Sequence, residues 1–171
     1  MRSVIYQVAA SLDGYIAGPN GEIDWILHDS TAAPSLYSSV DTVLLGRRTY
    51  EMTLQPGAPK WPKGWRIYVF SRTLRAEEHR KVTIVREHAG RVVQALRADS
   101  GGDIWLFGGA SLFASLLAEH AVDRVDVAVM PVLLGRGLSL VAAGGTRTRL
   151  QLIESHASEN GIVNLSYKVE R

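Results

Sequence analysis

The sequence of 171 residues predicts an α/β domain with a mixed, mostly parallel central sheet that ends in an antiparallel hairpin. Apolar runs of strand length alternate with segments whose apolar residues recur every three or four positions, which is the pattern of βαβ units. Near the C-terminal end, Glu159-Asn160-Gly161 joins two strand-like runs, and Asn-Gly is a turn signal of antiparallel hairpins. The length is that of one domain, so we expect a single domain over residues 1–171.

The first half of the chain contains three predicted central strands. The run Val4–Ala10 leads into turn residues, so we expect a buried strand that is followed by a polar, glycine-rich loop. Thr42–Leu45 and Arg66–Phe70 are short apolar runs with the length and composition of buried strands. Residues 55–64 contain three prolines and two glycines, which predicts an irregular surface segment.

The second half of the chain carries the alternation that indicates parallel strands. Its helical segments have apolar residues at the spacing of an amphipathic helix, and short apolar runs of strand length lie between them. The predicted elements are a strand at Val82–Val85, a helix at Ala89–Ala98, a strand at Ile104–Phe107, a helix at Ser111–His120, a strand at Val125–Met130, and hairpin strands at Leu150–Ser155 and Ile162–Val169.

Composition narrows the functional classes. Nineteen lysines and arginines against seventeen aspartates and glutamates leave a formal net charge of +2, and the basic residues are scattered, so we expect no nucleic-acid partner. The absence of cysteine excludes disulfides and thiolate catalysis and suits a reducing compartment, so we expect a cytoplasmic protein. No apolar run approaches membrane-spanning length, and the five histidines show no metal-ligand spacing. We therefore expect neither a membrane partner nor a metal.

Arginines follow two of the predicted strands. Gly46-Arg47-Arg48-Thr49 comes after the second strand, and Ser71-Arg72 comes after the third. Ligands of open α/β sheets bind outside the carboxyl ends of the strands, and Arg binds phosphate through paired hydrogen bonds. These arginines predict a phosphate site suited to the 2′-phosphate of NADPH. The alternative for each segment alone is a turn glycine followed by solvated arginines.

Two further segments have the composition of a cofactor site. Gly108-Gly109-Ala110-Ser111-Leu112 lies where a strand gives way to a helix, so paired glycines let the backbone approach a pyrophosphate, although a plain tight turn is the alternative. It is not the Rossmann fingerprint, because the third glycine and the acidic residue are missing. The loop Ser11–Gly18 is rich in small residues and has the character of an active-site lid, with a simple connecting loop as the alternative.

Taken in order, these segments and Pro131–Gly137 resemble the dihydrofolate reductase superfamily, and in particular the reductase domain of the bacterial riboflavin-pathway enzyme. The resemblance implies a dihydrofolate-reductase-like three-layer fold that binds NADPH and reduces a small molecule. It implies one group of residues for each part of the cofactor. Ala10, Ile16 and Gly18 would border the nicotinamide, Thr49 would help to hold the cofactor, Arg47, Ser71 and Arg72 would bind the 2′-phosphate, and Gly109, Ala110, Ser111 and Leu112 would bind the pyrophosphate, with Gly108-Gly109 as a candidate cis peptide.

The substrate side departs from the folate reductases. These enzymes place a Trp and then a buried acid in the first helix; here Trp25 is followed by Asp29, which is displaced from the usual spacing. Asp29 or Asp24 is a candidate proton donor, and a helix cap is the alternative role. The threonine that partners the acid has no match in Val125–Met130, so we do not expect folate reduction.

Three functions remain open at this point. The first is hydride transfer from NADPH to a C=N or C=O bond of a small planar or carbonyl substrate, with Trp25 and Asp29 as candidate catalytic residues. The others are a true pterin or aminouracil reductase and a protein that binds NADPH without turnover. Trp61 and Trp65 are expected at a substrate mouth or at a dimer contact. A homodimer is expected through the segment Val125–Leu140, with apolar area from Val132, Leu133 and Leu134.

Overall fold

The computed structural model describes residues 1–27, 38–58, 60–145 and 147–170. Three α-helices and ten strands lie within these ranges. The strands are β1 (Val4–Ser11), β2 (Tyr15–Ala17), β3 (Val40–Gly46), β4 (Arg66–Phe70), β5 (Thr83–Val85), β6 (Asp103–Gly108), β7 (Arg124–Met130), β8 (Leu138–Ser139), β9 (Leu150–Ala157) and β10 (Val163–Val169); the helices are α1 (Arg47–Thr53), α2 (Ala89–Ala98) and α3 (Ala110–Ala118), and a 3₁₀ turn spans Ala76–Glu78.

Eight strands form one mixed sheet in the order β5-β4-β3-β6-β1-β7-β10-β9. Every neighbouring pair from β5 to β7 is parallel, whereas β10 runs antiparallel to both β7 and β9. The predicted fold class, a mostly parallel sheet with an antiparallel C-terminal hairpin, is confirmed. A second sheet of only two strands, β2 and β8, was not expected from the sequence.

Most predicted elements lie within two residues of the observed ones. The strand Arg66–Phe70 and the helix Ala89–Ala98 have the predicted bounds. The helix predicted over Ser111–His120 instead ends at Ala118, because His120 adopts a φ of 52°, which no α-helix contains.

Apolar side chains on the two faces of the sheet build two cores. Helices α2 and α3 cover the first face, where Tyr6 of β1 stacks on Phe113 of α3 with ring centroids 3.9 Å apart. The second face carries Trp105, against which Trp61 and Trp65 pack edge to face at 6.0 and 6.3 Å. Since both tryptophans are half-buried in this second core, the proline-rich segment folds back onto the sheet.

Exposed apolar residues concentrate on the edge strand β9. All eight of its residues are exposed, and Leu150, Leu152 and Ile153 show 42, 52 and 57% of their surface. In the segment that the sequence suggested for dimerisation, Leu133 is 68% exposed while Val132 and Leu134 are half-buried. The homodimer remains a prediction, and β9 offers a larger unpaired edge than the predicted segment does.

Candidate cofactor site

Four strand ends lie side by side at the carboxyl edge of the sheet. Strands β4, β3, β6 and β1 are consecutive neighbours, and each pair is parallel. The register pairs Gly46 with Phe70 and Leu45 with Gly108, so the segments that follow these strands start at the same level. The topology therefore brings together the four segments that the sequence singled out.

Glycines let two of these segments touch. The Gly108–Gly109 peptide bond is cis, as the resemblance implies. A Cβ atom built on Gly46 would lie 3.5 Å from the Gly109 nitrogen, and one built on Gly109 would lie 3.1 Å from Thr49 Oγ1. The predicted residues Gly46, Thr49, Gly108 and Gly109 thus form one contact cluster, in which a side chain at position 109 would crowd Thr49.

The N-terminus of α3 offers uncapped backbone donors. Its N-cap residue, Gly109, makes no side-chain hydrogen bond, and the first turn holds no acidic residue. The Phe113 N–H donates to the Gly109 carbonyl at 3.1 Å and is the first amide with a partner inside the helix. The preceding amides of Ala110, Ser111 and Leu112 are the kind of unpaired donors that bind phosphate groups.

The predicted phosphate-binding arginines differ in their surroundings. Arg47 pairs with Glu51 one turn along α1, with Nη1 2.9 Å from Oε1, and both side chains are about two-fifths exposed. An exposed pair of this kind contributes little to stability, so Arg47 can exchange Glu51 for a phosphate at small cost. Arg48 and Arg72 are exposed. Helix α1 has only seven residues, so the guanidinium groups of Arg47 and Arg48 are the main groups that this segment offers an anion.

Ser71 shapes the turn that presents Arg72. Its side chain is buried, and its hydroxyl oxygen accepts hydrogen bonds from the Thr73 and Leu74 amides at 3.2 and 3.1 Å. The family resemblance implies that Ser71 helps to bind the 2′-phosphate. In the structure its acceptor capacity is used locally, and its oxygen also lies 3.4 Å from Thr73 Oγ1, where either hydroxyl can donate.

The nicotinamide side of the predicted site is formed by the end of β1 and the loop after it. Ala10 and Gly18 are buried, and half-buried Ile16 packs against the first core. The Gly18 N–H donates to the Glu22 carbonyl at 2.8 Å, and the Trp25 indole N–H donates to the same oxygen at 3.0 Å. Trp25 therefore closes this turn. Its predicted catalytic partner, Asp29, lies outside the described residues, so that assignment stays a prediction.

A carboxylate that sequence reasoning missed lies on the second face of the sheet. Asp126 stands opposite Gln7 in the β1–β7 register, and its side chain is 17% exposed. It accepts hydrogen bonds from Arg124 Nε at 3.0 Å and Ser166 Oγ at 2.7 Å. The only signal in the sequence is one acid between apolar neighbours that point to the other face.

The profile of the RibD C-terminal domain family matches residues 2–164. The chain belongs to this family. It is 35% identical to the Bacillus subtilis protein YwjB over 88% of this chain and 89% of that protein. A putative riboflavin biosynthesis protein from Shewanella sp. PV-4 superposes with a TM-score of 0.84 at 24% identity, covering 99% of both chains. Dihydrofolate reductase from Enterococcus faecalis, solved with NADP(H) and RAB-propyl, gives a TM-score of 0.68 at 16% identity, covering 99% of this chain and 97% of that one.

These comparisons confirm the resemblance noted from the sequence. The RibD C-terminal domain family is reductase-like, which places the chain among the oxidoreductases at the level of broad class. Within the described ranges, no helix has the length and apolarity to cross a membrane, and no three acidic or histidine side chains group as a metal site.

Proposed function

We propose that this member of the RibD C-terminal domain family is an NADPH-dependent reductase that transfers a hydride to a C=N or C=O bond of a small planar or carbonyl compound. The observation that carries the proposal is the juxtaposition of four strand ends at one edge, which joins the diglycine, the α3 N-terminus and the arginine-bearing turns. Each of these segments has the chemistry to bind one part of NADPH.

The residues present fit the cofactor in chemical type. The uncapped amides of α3 suit the pyrophosphate, and the glycines leave room for its close approach. Arg47 and Arg72 suit a 2′-phosphate, which NADH lacks. Ala10, Ile16 and Gly18 supply a small, mostly apolar surface on the opposite side of the diglycine, suited to the nicotinamide ring.

Bound NADPH would supply the hydride, and the chain's own residues would orient the acceptor and exclude water. The acceptor would lie on the second sheet face, where small Ala9 and Ala128 stand opposite each other next to the row of Gln7 and Asp126. Held by Arg124 and Ser166, the Asp126 carboxylate is available to bind an N–H group of the acceptor. A carboxylate on this face favours turnover over binding alone, because an all-apolar surface could not fix a polar acceptor.

Cofactor choice tests the proposal. NADPH should bind more tightly than NADH, and Arg72→Ala should narrow that preference about ten-fold, the value of one lost charge-assisted hydrogen bond. Arg75→Ala is the matched control, since it removes the same charge three residues later from an exposed side chain that pairs with Glu78 at 3.8 Å. Titration of wild type, Arg72→Ala and Arg75→Ala with both cofactors gives the six dissociation constants. Equal affinity of the wild-type chain for NADPH and NADH would contradict the assignment.

Turnover is tested separately by the loss of NADPH absorbance with candidate acceptors: pterins, aminouracils, dihydrofolate, quinones and aldehydes. Acceptor-dependent oxidation would support the reductase. Tight NADPH binding without oxidation by any acceptor would favour the binding protein instead.

A further inference from the structure

Two segments at the carboxyl edge of the sheet are tied together into one unit. The front loop (residues 11–18) follows β1, and the clasp segment (residues 132–140) follows β7, the neighbour of β1. Backbone hydrogen bonds join the two segments at 2.9 Å, from Leu12 N–H to the Val132 carbonyl and from Leu140 N–H to the Gly14 carbonyl. The short sheet of β2 and β8 adds a third connection.

The Asp13 carboxylate stands at the centre of this unit and accepts three hydrogen bonds. Its Oδ1 accepts from Ser11 Oγ at 2.6 Å and from the Leu134 amide at 3.1 Å, and its Oδ2 accepts from the Gly135 amide at 2.7 Å. Ser11 Oγ in turn accepts from the Tyr15 amide at 2.9 Å, which fixes the direction of its own proton. The hydrogen bond from Ser11 and those from the two clasp amides lower the pKa of Asp13.

This pattern differs from that of a turn aspartate. A turn aspartate accepts from the backbone about two residues further along the chain, whereas Leu134 and Gly135 are 121 and 122 residues away in sequence. The local turn is already closed without the carboxylate, because the Gly14 amide donates to the Ser11 carbonyl at 2.9 Å and Gly14 adopts a φ of 84°. The Asp13 side chain therefore connects the front loop to the clasp segment.

We propose that Asp13 is a positioning residue whose carboxylate holds the front loop against the clasp segment and so fixes the nicotinamide side of the cofactor site. The inference rests on the proposed function, because that function assigns Ile16 and Gly18 of the front loop to the nicotinamide. Loss of the carboxylate loosens this half of the site. The adenine half, which is built on α1, α3 and the turn at Ser71, keeps its structure.

Asp13→Asn tests the connection with the least change of shape. Whichever way the amide group is oriented, its nitrogen takes the place of one oxygen and faces a donor, so at least one clasp amide loses its acceptor. Hydrogen exchange of the peptides covering residues 11–18 and 132–140 should accelerate about ten-fold, while peptides of the central sheet keep their rates. Glu159→Gln, in the distant hairpin turn, controls for the loss of one carboxylate. Unchanged exchange in both segments would overturn the proposal.

Two ligands separate the positioning role from a general loss of structure. NADPH should bind Asp13→Asn about ten-fold more weakly than wild type, whereas adenosine 2′,5′-bisphosphate, which lacks the nicotinamide half, should bind both proteins equally. Equal weakening of both ligands would refute a role confined to the nicotinamide side. If wild type binds neither ligand, the proposed function fails, and the exchange experiment alone still decides whether Asp13 connects the two segments.

Discussion

Tyr6 carries a hydroxyl group that the fold buries without a partner. Its ring lies in the first core, stacked on Phe113, and the side chain is fully buried. Among the described residues the hydroxyl finds no hydrogen-bond partner. Tyr6→Phe removes the hydroxyl and keeps the stacked ring, so we expect the variant to be more stable than wild type.

The size of the gain follows from the cost of an unpaired buried hydroxyl. Such a group lowers stability by about 1–3 kcal/mol, and the Phe ring restores full apolar burial. Tyr50→Phe is the matched control: Tyr50 is also buried, but its hydroxyl lies 3.2 Å from His79 Nδ1, so its removal should destabilise the chain by about 0.5–1.5 kcal/mol. The two substitutions delete the same atom and are expected to have opposite signs.

Urea unfolding of the three proteins measures the free energy of unfolding, provided that the slope with denaturant is unchanged. Burial also raises the pKa of Tyr6, so the folded state holds this proton more tightly than the unfolded state. The resulting stability is present below the unfolded pKa of about 10 and is lost as the pH rises through the folded value. The Tyr6→Phe variant should lack this part of the loss of folding stability at alkaline pH. A destabilised Tyr6→Phe at neutral pH would show that the hydroxyl has a partner after all.

Two further predictions concern acid stability and assembly. Burial raises the pKa of Asp41, but hydrogen bonds from Thr42 and Gly102 and the charges of Arg2 and Arg66 outweigh this effect and lower the pKa. The stability of the fold should therefore fall as the pH drops below about 4. Asp41→Asn should remove this pH dependence in acid titrations followed by circular dichroism. Light scattering at micromolar concentration should give twice the chain mass of 18.7 kDa for wild type. Leu152→Asp on the exposed strand β9 should give the mass of one chain. Leu133→Asp tests the dimer segment that the sequence suggests. A wild-type mass of one chain would rule out the dimer.

Local patterns predicted the elements whose stability is decided locally. Helix α2 has a clear apolar stripe and stops at Asp99, so its bounds were readable. Strands β2 and β8 have three and two residues, too few to show any periodicity. Each forms only by pairing with the other, and because the two lie far apart in sequence, no local pattern indicates them. The strand order also depends on contacts between segments that are distant in sequence. No residue near β3 indicates that β6 lies beside it.

The candidate site shows the same division. Gly46, Thr49 and Gly108-Gly109 meet because parallel strands end at one edge of the sheet. This rule can be applied to the sequence alone. The pairing of Arg47 with Glu51 and the use of the Ser71 hydroxyl within its own turn depend on side-chain geometry, which the sequence does not encode locally. Asp126 is identified as a candidate site residue only by the strand register, which sets it opposite Gln7.

The two edges of the sheet differ in how their charges are balanced. At the amino edge, buried Arg2 pairs with Asp41, Arg66 pairs with the same carboxylate, and Arg97 pairs with Asp123. At the carboxyl edge, neither Arg48 nor Arg72 forms an ion pair with another described residue, and both are exposed. These two arginines lie at the edge where the diglycine and the α3 N-terminus are found. An anion bound at this edge would pair with arginines that no described carboxylate neutralises, which supports the proposal that the phosphates of NADPH bind there.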